Sequence, residues 1–341
     1  MDTFLKTLIN SDTKLVSFTT EQEIIHQGLA PLLAQTNRSI TIQKANLLEI
    51  NKFQNWQEKA RLIFKEFNKN NIEFLVFKGF AFSFLLYKNT HLRPYSDIDI
   101  IIDKENYQKV NTILLELGYI QLQSRQGQFV SFQNSFYDEN SPQAVIDVHW
   151  QINNRIEFHR HFPFQALHKK AIQVTTDNIN FKSLSLIDAF ILGCFHYQAH
   201  RPNDRNHIWL YDLTLLWKKM NQADQKKCID KSRTSNQSQI VLATLQLMNE
   251  TFVNCISINF DLNELNSEAT EYYLNERKNK ITDIKTRLSH ITGFKNKIIF
   301  ISEYIFQNKT YVKRRFGVKS NLWVYLYYPK MWIEDIFKLF K

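Results

Sequence analysis

Apolar positions recur three and four residues apart from about residue 18 to 70, first as Ile24, Ile25, Leu29, Leu32 and Leu33, then as Trp56, Leu62, Ile63 and Phe67. That spacing predicts a helical N-terminal segment. Residues 72–77 form a compact apolar run closed by Lys78-Gly79, the pattern of a buried strand ending in a turn. Residues 80–87 read as a short helix leaving that turn. Over 95–103 the period becomes two, with Asp97, Asp99 and Ile101 on one side and Ile98, Ile100 and Ile102 on the other, which predicts a strand. Residues 104–117 are helical, and Gly118 fits the C-terminal cap. Further strands are expected over 119–122, 129–136 and 145–151. Beyond about residue 184 the pattern turns helical, through 186–200, 208–220, 240–254 and 297–307. The fold class is therefore α+β, a small mixed sheet followed by a helical lobe. Three regions are expected: a helical segment over 1–70, a mixed α and β core over 71–170 and a helical domain over 171–341, with the seam between roughly 165 and 184. The polar stretch 263–280 reads as a mobile connection.

Composition narrows the setting. A chain of 341 residues, 44% hydrophobic and 22% charged, is not disordered throughout, and 7 glycines with 6 prolines favour long regular elements. Lysine and arginine number 43 against 33 acids, and the net charge of +10 draws the protein towards phosphate-rich partners, whether nucleotide, nucleic acid or anionic membrane. Cys194, Cys228 and Cys255 are far apart and lack zinc-knuckle spacing, so reduced thiols and a cytoplasmic location are expected. The chain opens without a basic start leading into an apolar stretch, and no apolar run approaches the roughly 20 residues of a membrane span. A soluble protein is expected.

The candidate chemistry lies in the carboxylates. Asp97 and Asp99, two apart on a strand, project to the same face. Such a pair can bridge two Mg²⁺ ions about 3.5 to 4 Å apart, which polarise a phosphate and activate an attacking hydroxyl. The isoleucines around them point to a buried strand, where adjacent like charges are costly unless cations or donors compensate them. A third acid, Asp147, interrupts another apolar strand; beside the first strand it would complete a metal-binding triad and act as base towards an acceptor hydroxyl. Otherwise it is a surface-facing acid. His149 shares its face and would orient it, touch substrate, or serve structure alone. Lys78-Gly79 stands where a strand gives way to a helix, a place that favours a bound anion. Arg93, in the loop before Asp97, either clamps a triphosphate oxygen or pairs with a nearby acid. His196 and His200, four apart on one helical face, would line the cleft, or hold Zn²⁺ if a third ligand such as Asp212 approached. Near the C-terminus, Lys313-Arg314-Arg315 followed by Trp323, Tyr325, Tyr327, Tyr328 and Trp332 suits RNA, a membrane surface, or an amphipathic helix packed on the second lobe.

Phe74-Leu75-Val76-Phe77-Lys78-Gly79, Tyr87, Arg93, Asp97-Ile98-Asp99-Ile100 and Gly118-Tyr119 resemble, in order and spacing, an uncharacterised bacterial nucleotidyltransferase family of the DNA polymerase β-like superfamily. The resemblance runs from Gly28-Leu29-Ala30-Pro31-Leu32-Leu33, through Ile146-Asp147-Val148-His149-Trp150, to His196, His200 and Trp209-Leu210-Tyr211-Asp212-Leu213. It implies a polymerase β-like lobe, two Mg²⁺ ions (or Mn²⁺) at Asp97, Asp99 and Asp147, and nucleotide contacts from Lys78, Gly79 and Arg93. It also implies transfer of a nucleoside monophosphate from a nucleoside triphosphate to an acceptor hydroxyl. His149, His196, His200 and Asp212 are candidates for lining the substrate site. Most of the superfamily carries Gly-Ser where this chain has Lys78-Gly79, so no serine hydroxyl is assigned to phosphate. The acceptor stays open among protein, peptide, small molecule and RNA, as does the oligomeric state. A silent nucleotide- or RNA-binding module and a tRNA-modifying toxin are the other readings.

Overall fold

A computed structural model describes residues 20–122, 127–176, 178–200, 204–235, 237–252, 274 and 280–337. Apart from residues 274 and 280, the connection expected over 263–280 lies outside the described residues. The helical opening is present as α1 (Glu21–His26), α2 (Ala30–Leu33) and the 30-residue α3 (Ile40–Lys69). Thr20 and Glu23 close a capping box at the start of α1, each side chain meeting the other's backbone N–H. Asn71, at φ 54°, turns the chain from α3 into β1 (Phe74–Phe77), which runs directly into α4 (Lys78–Leu86). Then come β2 (Asp97–Ile102), α5 (Tyr107–Glu116), β3 (Tyr119–Gln121), β4 (Gln133–Asp138) and β5 (Ser141–His149). Gly118, at φ 86°, ends α5 as its sequence position predicts.

The sheet is larger than expected. Beyond α6 (Ile156–His159) and α7 (Phe164–Lys169), the hairpin β6 (Ile172–Thr175) and β7 (Asn180–Ser183) extends it to seven strands in the order β3-β4-β5-β2-β1-β7-β6. β2 runs parallel to β5 and antiparallel to β1, while β7 joins β1 in parallel at Val76 and Ser183. The helical part follows as α8 (Leu186–Ala199), α9 (His207–Lys219), α10 (Gln222–Thr234), α11 (Ser238–Thr251), α12 (Lys280–His290), α13 (Phe294–Ile305), α14 (Lys309–Phe316) and α15 (Val324–Phe337).

Period-two alternation splits the strands between two cores. Phe74 and Val76 of β1, Ile98, Ile100 and Ile102 of β2, and Ile146 and Val148 of β5 pack with Ile63, Phe64 and Phe67 of α3 and Val110 and Leu114 of α5. Leu75, Phe77 and Ile101, on the opposite face, join Phe190, Phe195, Leu213, Trp217 and Leu245 from α8, α9 and α11. The hairpin is fastened to the first core through Phe181, whose ring lies 5.7 Å from Phe64 and 5.8 Å from Phe80. A mixed sheet buried on both faces, with its acids on adjacent central strands and helices following, is the α+β arrangement the sequence predicts. Among the described residues no helix is long and apolar enough to cross a membrane.

Candidate active site

The strand alternation that sends isoleucines into the first core sends Asp97, Asp99, Asp147 and His149 to the face covered by α8. In the parallel ladder Asp99 stands opposite Asp147 and Ile101 opposite His149, so acids far apart in sequence become neighbours. One ligand atom from each of Asp99, Asp147 and His149 lies within 4.8 Å of the others, the one such metal-competent group among the described residues. Nε2 of His149 is 2.9 Å from Oδ1 of Asp99, and its ring meets Phe77 edge-on at 5.1 Å. Oδ1 of Asp147 is buried with no hydrogen-bond partner.

The main internal cation is Lys78. Its ammonium donates to Oδ1 of Asp99 at 2.6 Å rather than pointing towards solvent. The residue sits at φ 57°, a left-handed conformation that a side chain with a Cβ rarely adopts, and this lets β1 turn into α4 within one residue. Burial pushes the Asp99 carboxyl upward, but Lys78 and the hydrogen bond from His149 outweigh it and hold it well below the usual carboxylate range. Asp97 is raised to about 7 by burial and the charge of Asp99, and Asp147 is raised for the same two reasons. Three acids around one lysine and one histidine leave a surplus of negative charge. Together with the orphaned oxygen of Asp147, that surplus fits a divalent cation held by oxygen ligands.

Arg93 takes the second role the sequence offered. Its Nε and Nη2 donate to Oδ2 of Asp212 at 3.0 and 2.6 Å, and the Tyr87 hydroxyl donates to Oδ1 of Asp212 at 2.7 Å. This buried strap ties the loop before β2 to α9. Gly79 belongs to it as well: a Cβ there would lie 2.8 Å from Nη1 of Arg93 and 3.0 Å from the Tyr95 Cβ. Asp212, held by Arg93 and Tyr87, forms no metal-competent group with His196 and His200. The two histidine rings instead make a triangle with Trp209, at centroid separations of 4.8, 4.6 and 4.9 Å. Burial and the charge of Lys78 push His196 well down, and burial lowers His200, so both are neutral at pH 7.

Two cavities meet on this face. One, of 410 Å³, is lined by Gly79, Arg93, Ser96, Asp99 and Trp209. The other, of 390 Å³, is lined by Asp147, His149, Gln133, Asn153, Asn154 and Arg287. Lys78, Phe82, Asp97, Gly193, His196 and His200 line both. The Asn153-Asn154-Arg155 loop escaped the sequence reading, although its place just beyond the strand of Asp147 was a usable signal. Buried Nδ2 of Asn153 has no hydrogen-bond partner.

The sequence model of a family described as uncharacterised nucleotidyltransferase matches residues 24–253. No curated protein matches the chain. Among solved structures the chain is similar to the antibiotic-resistance factor ANT(2'')-Ia, with 12% identity and a TM-score of 0.38 over 55% of this chain and 94% of that one. It is also similar to the lincomycin-bound lincosamide antibiotic adenylyltransferase LnuA, with 16% identity and a TM-score of 0.32 over 47% of this chain and 94% of that one. An antigenic nucleotidyltransferase-like protein from Paracoccidioides brasiliensis gives 13% identity and a TM-score of 0.37 over 57% and 88% of the two chains. Likeness this distant carries nothing about substrate.

Proposed function

The chain belongs to the uncharacterised nucleotidyltransferase family, and on that premise we propose that it transfers a nucleoside monophosphate from a nucleoside triphosphate to an acceptor hydroxyl. The observation that carries the reading is the three-carboxylate face of β2 and β5, with its negative surplus and the unpartnered oxygen of Asp147. Residues 71–170 supply the catalytic core in this reading. Asp97, Asp99 and Asp147 would hold Mg²⁺, two ions being expected and Mn²⁺ an alternative. When bound, the ions polarise the α-phosphate and ease deprotonation of the acceptor.

The rest falls to the chain's own side chains. The triphosphate occupies the cavity of Gly79, Arg93 and Trp209, where the Lys78 ammonium turns from Asp99 to the phosphates, and the nucleobase packs against the Trp209 and histidine rings. The acceptor occupies the cavity of Asn153 and Asn154, its hydroxyl beside Asp147. The acceptor oxygen bonds to the α-phosphorus, the bond to the bridging oxygen breaks, diphosphate leaves with the electron pair, and Asp147 takes the hydroxyl proton. His149 holds Asp99 in place, and the Arg93–Asp212 strap fixes the loop that presents Asp97.

Incubation of purified protein with each α-labelled nucleoside triphosphate, Mg²⁺ and cell lysate tests this. A labelled product that disappears in Asp97→Ala/Asp99→Ala is expected, and equal labelling by that variant refutes the transfer. A second reading, a nucleotide-binding module without transfer, draws on the Lys78 ammonium already seated on Asp99. Calorimetry separates the two, because triphosphate binding indifferent to Mg²⁺ and to Asp147→Ala favours the module.

A further inference from the structure

Among the described residues, none of the basic, aromatic C-terminal stretch lines the two cavities of the site. Its helices build a small core of their own from Val312, Val324, Tyr328 and Met331. Around that core the outward faces are apolar. On α13, Phe294, Ile298, Ile301 and Ile305 follow one another at intervals of four, three and four, forming a single helical stripe, and all four are exposed, Phe294 to 80%. Phe300, on the opposite side, is fully buried. A second exposed group gathers at α15 and the turn before it, with Leu322 80%, Trp323 62%, Leu326 64% and Ile333 56% exposed. The two groups are joined where the Trp332 indole donates to the Ile305 carbonyl at 2.6 Å and its ring meets Phe306 at 5.6 Å.

Charge is concentrated in the same place. Residues 294–337 hold eight lysines and arginines against three acids, so five of the chain's ten net positive charges fall in this stretch. Two of the acids are committed: Glu334 pairs with Arg315 at 2.8 Å, and Glu303 accepts from the backbone N–H groups of Gln128 and Phe129. Lys309 lies 4.6 Å from the centre of the Tyr325 ring, and Lys330 5.5 Å from that of Phe316, so cations and rings alternate across the surface.

We propose that residues 294–333 form a docking surface for a membrane carrying anionic lipid headgroups. Aliphatic stripes supply apolar area that sinks to the headgroup boundary, Trp323 and Tyr325 suit the interface, and the lysines meet the phosphates. The excess of cations over acids in this stretch is complementary to a continuous anionic sheet. The inference does not depend on the nucleotidyl-transfer reading.

Co-sedimentation of the full chain with vesicles tests it. Vesicles of phosphatidylcholine with one-third phosphatidylglycerol are expected to bind at least roughly tenfold more protein than phosphatidylcholine alone, with most binding lost at about 0.5 M salt. Trp323→Ala/Leu326→Ala and Lys295→Glu/Lys319→Glu change exposed positions, so their thermal melts stay at wild type while each weakens vesicle binding roughly tenfold. Lys44→Glu/Lys104→Glu, an equal charge change elsewhere, leaves binding intact. Equal partition to both vesicles, or binding that ignores the surface variants, overturns the proposal. So does a single-stranded RNA shift lost in those variants without any vesicle binding, which reassigns the surface to nucleic acid.

Discussion

Lys78 occupies the position where a free cation would otherwise be drawn. Its ammonium neutralises Asp99 at 2.6 Å from a backbone conformation that costs energy, so the surrounding structure must hold it there. Removing one partner of a buried pair leaves the other charge uncompensated, and Lys78→Ala is expected to lower stability by about 3 kcal/mol. The same change removes a positive charge that opposes any incoming cation. Mn²⁺ binding followed by electron paramagnetic resonance should therefore tighten about tenfold in Lys78→Ala, and Mn²⁺ should restore much of the lost melting temperature. An unchanged Mn²⁺ affinity would show that the lysine does not compete for the acids.

At the scale of elements, the strap from Arg93 to Asp212 crosses from the loop before β2 to α9. Asp212→Ala strands a buried guanidinium and is expected to cost about 3 to 5 kcal/mol in urea unfolding. Replacing both partners, as Arg93→Met/Asp212→Leu, should recover most of that loss, because the penalty comes from the unpaired charge. Elements with a strong local pattern were readable in the sequence. The alternation of Ile98, Ile100 and Ile102 with Asp97 and Asp99 gave β2, its faces and its acids, and Gly118 gave the end of α5. The hairpin β6–β7 was not readable, because strands such as Asn180-Phe181-Lys182-Ser183 owe their conformation to pairing with β1 and to the packing of Phe181. Gln222–Thr234 is too polar to announce the α10 helix, which is held by the burial of Cys228 and Ile229. At the candidate site, residue types and strand faces were legible but pairings were not. Lys78 meets Asp99 and Arg93 meets Asp212 only after the sheet register and the docking of α9 are set, and neither leaves a mark in local periodicity.

For the whole molecule, acid stability turns in part on a group outside the site. His159 is pushed down to about 4 by burial, although its Nε2–H donates to the Asn153 carbonyl at 2.8 Å. The folded protein binds this proton less readily than the unfolded chain does, where the group titrates near 6.5. Its contribution is therefore complete above about pH 6.5 and is lost as the pH falls towards about 4. Between pH 7 and 5 that amounts to about 2 kcal/mol, at about 1.4 kcal/mol per unit. Denaturant titrations across this range should show the loss in the native protein and a flatter profile in His159→Gln. A profile no flatter in His159→Gln than in the native protein would show that His159 contributes nothing to the loss.

The hairpin also bears on modularity. β7 is the neighbour of β1 on that side of the sheet, and it arrives after about residue 180. A gene fragment stopping at 170 would encode every acid of the site yet leave β1 as a raw edge, its backbone N–H and C=O groups open to any strand that came near. Such a fragment should elute as oligomers in size-exclusion chromatography. Whatever rearrangements shaped this chain, the acids and the helices behind them cannot be exchanged at that point as separate cassettes, since the ladder of hydrogen bonds runs on from the acid-bearing strands into the hairpin that leads to those helices.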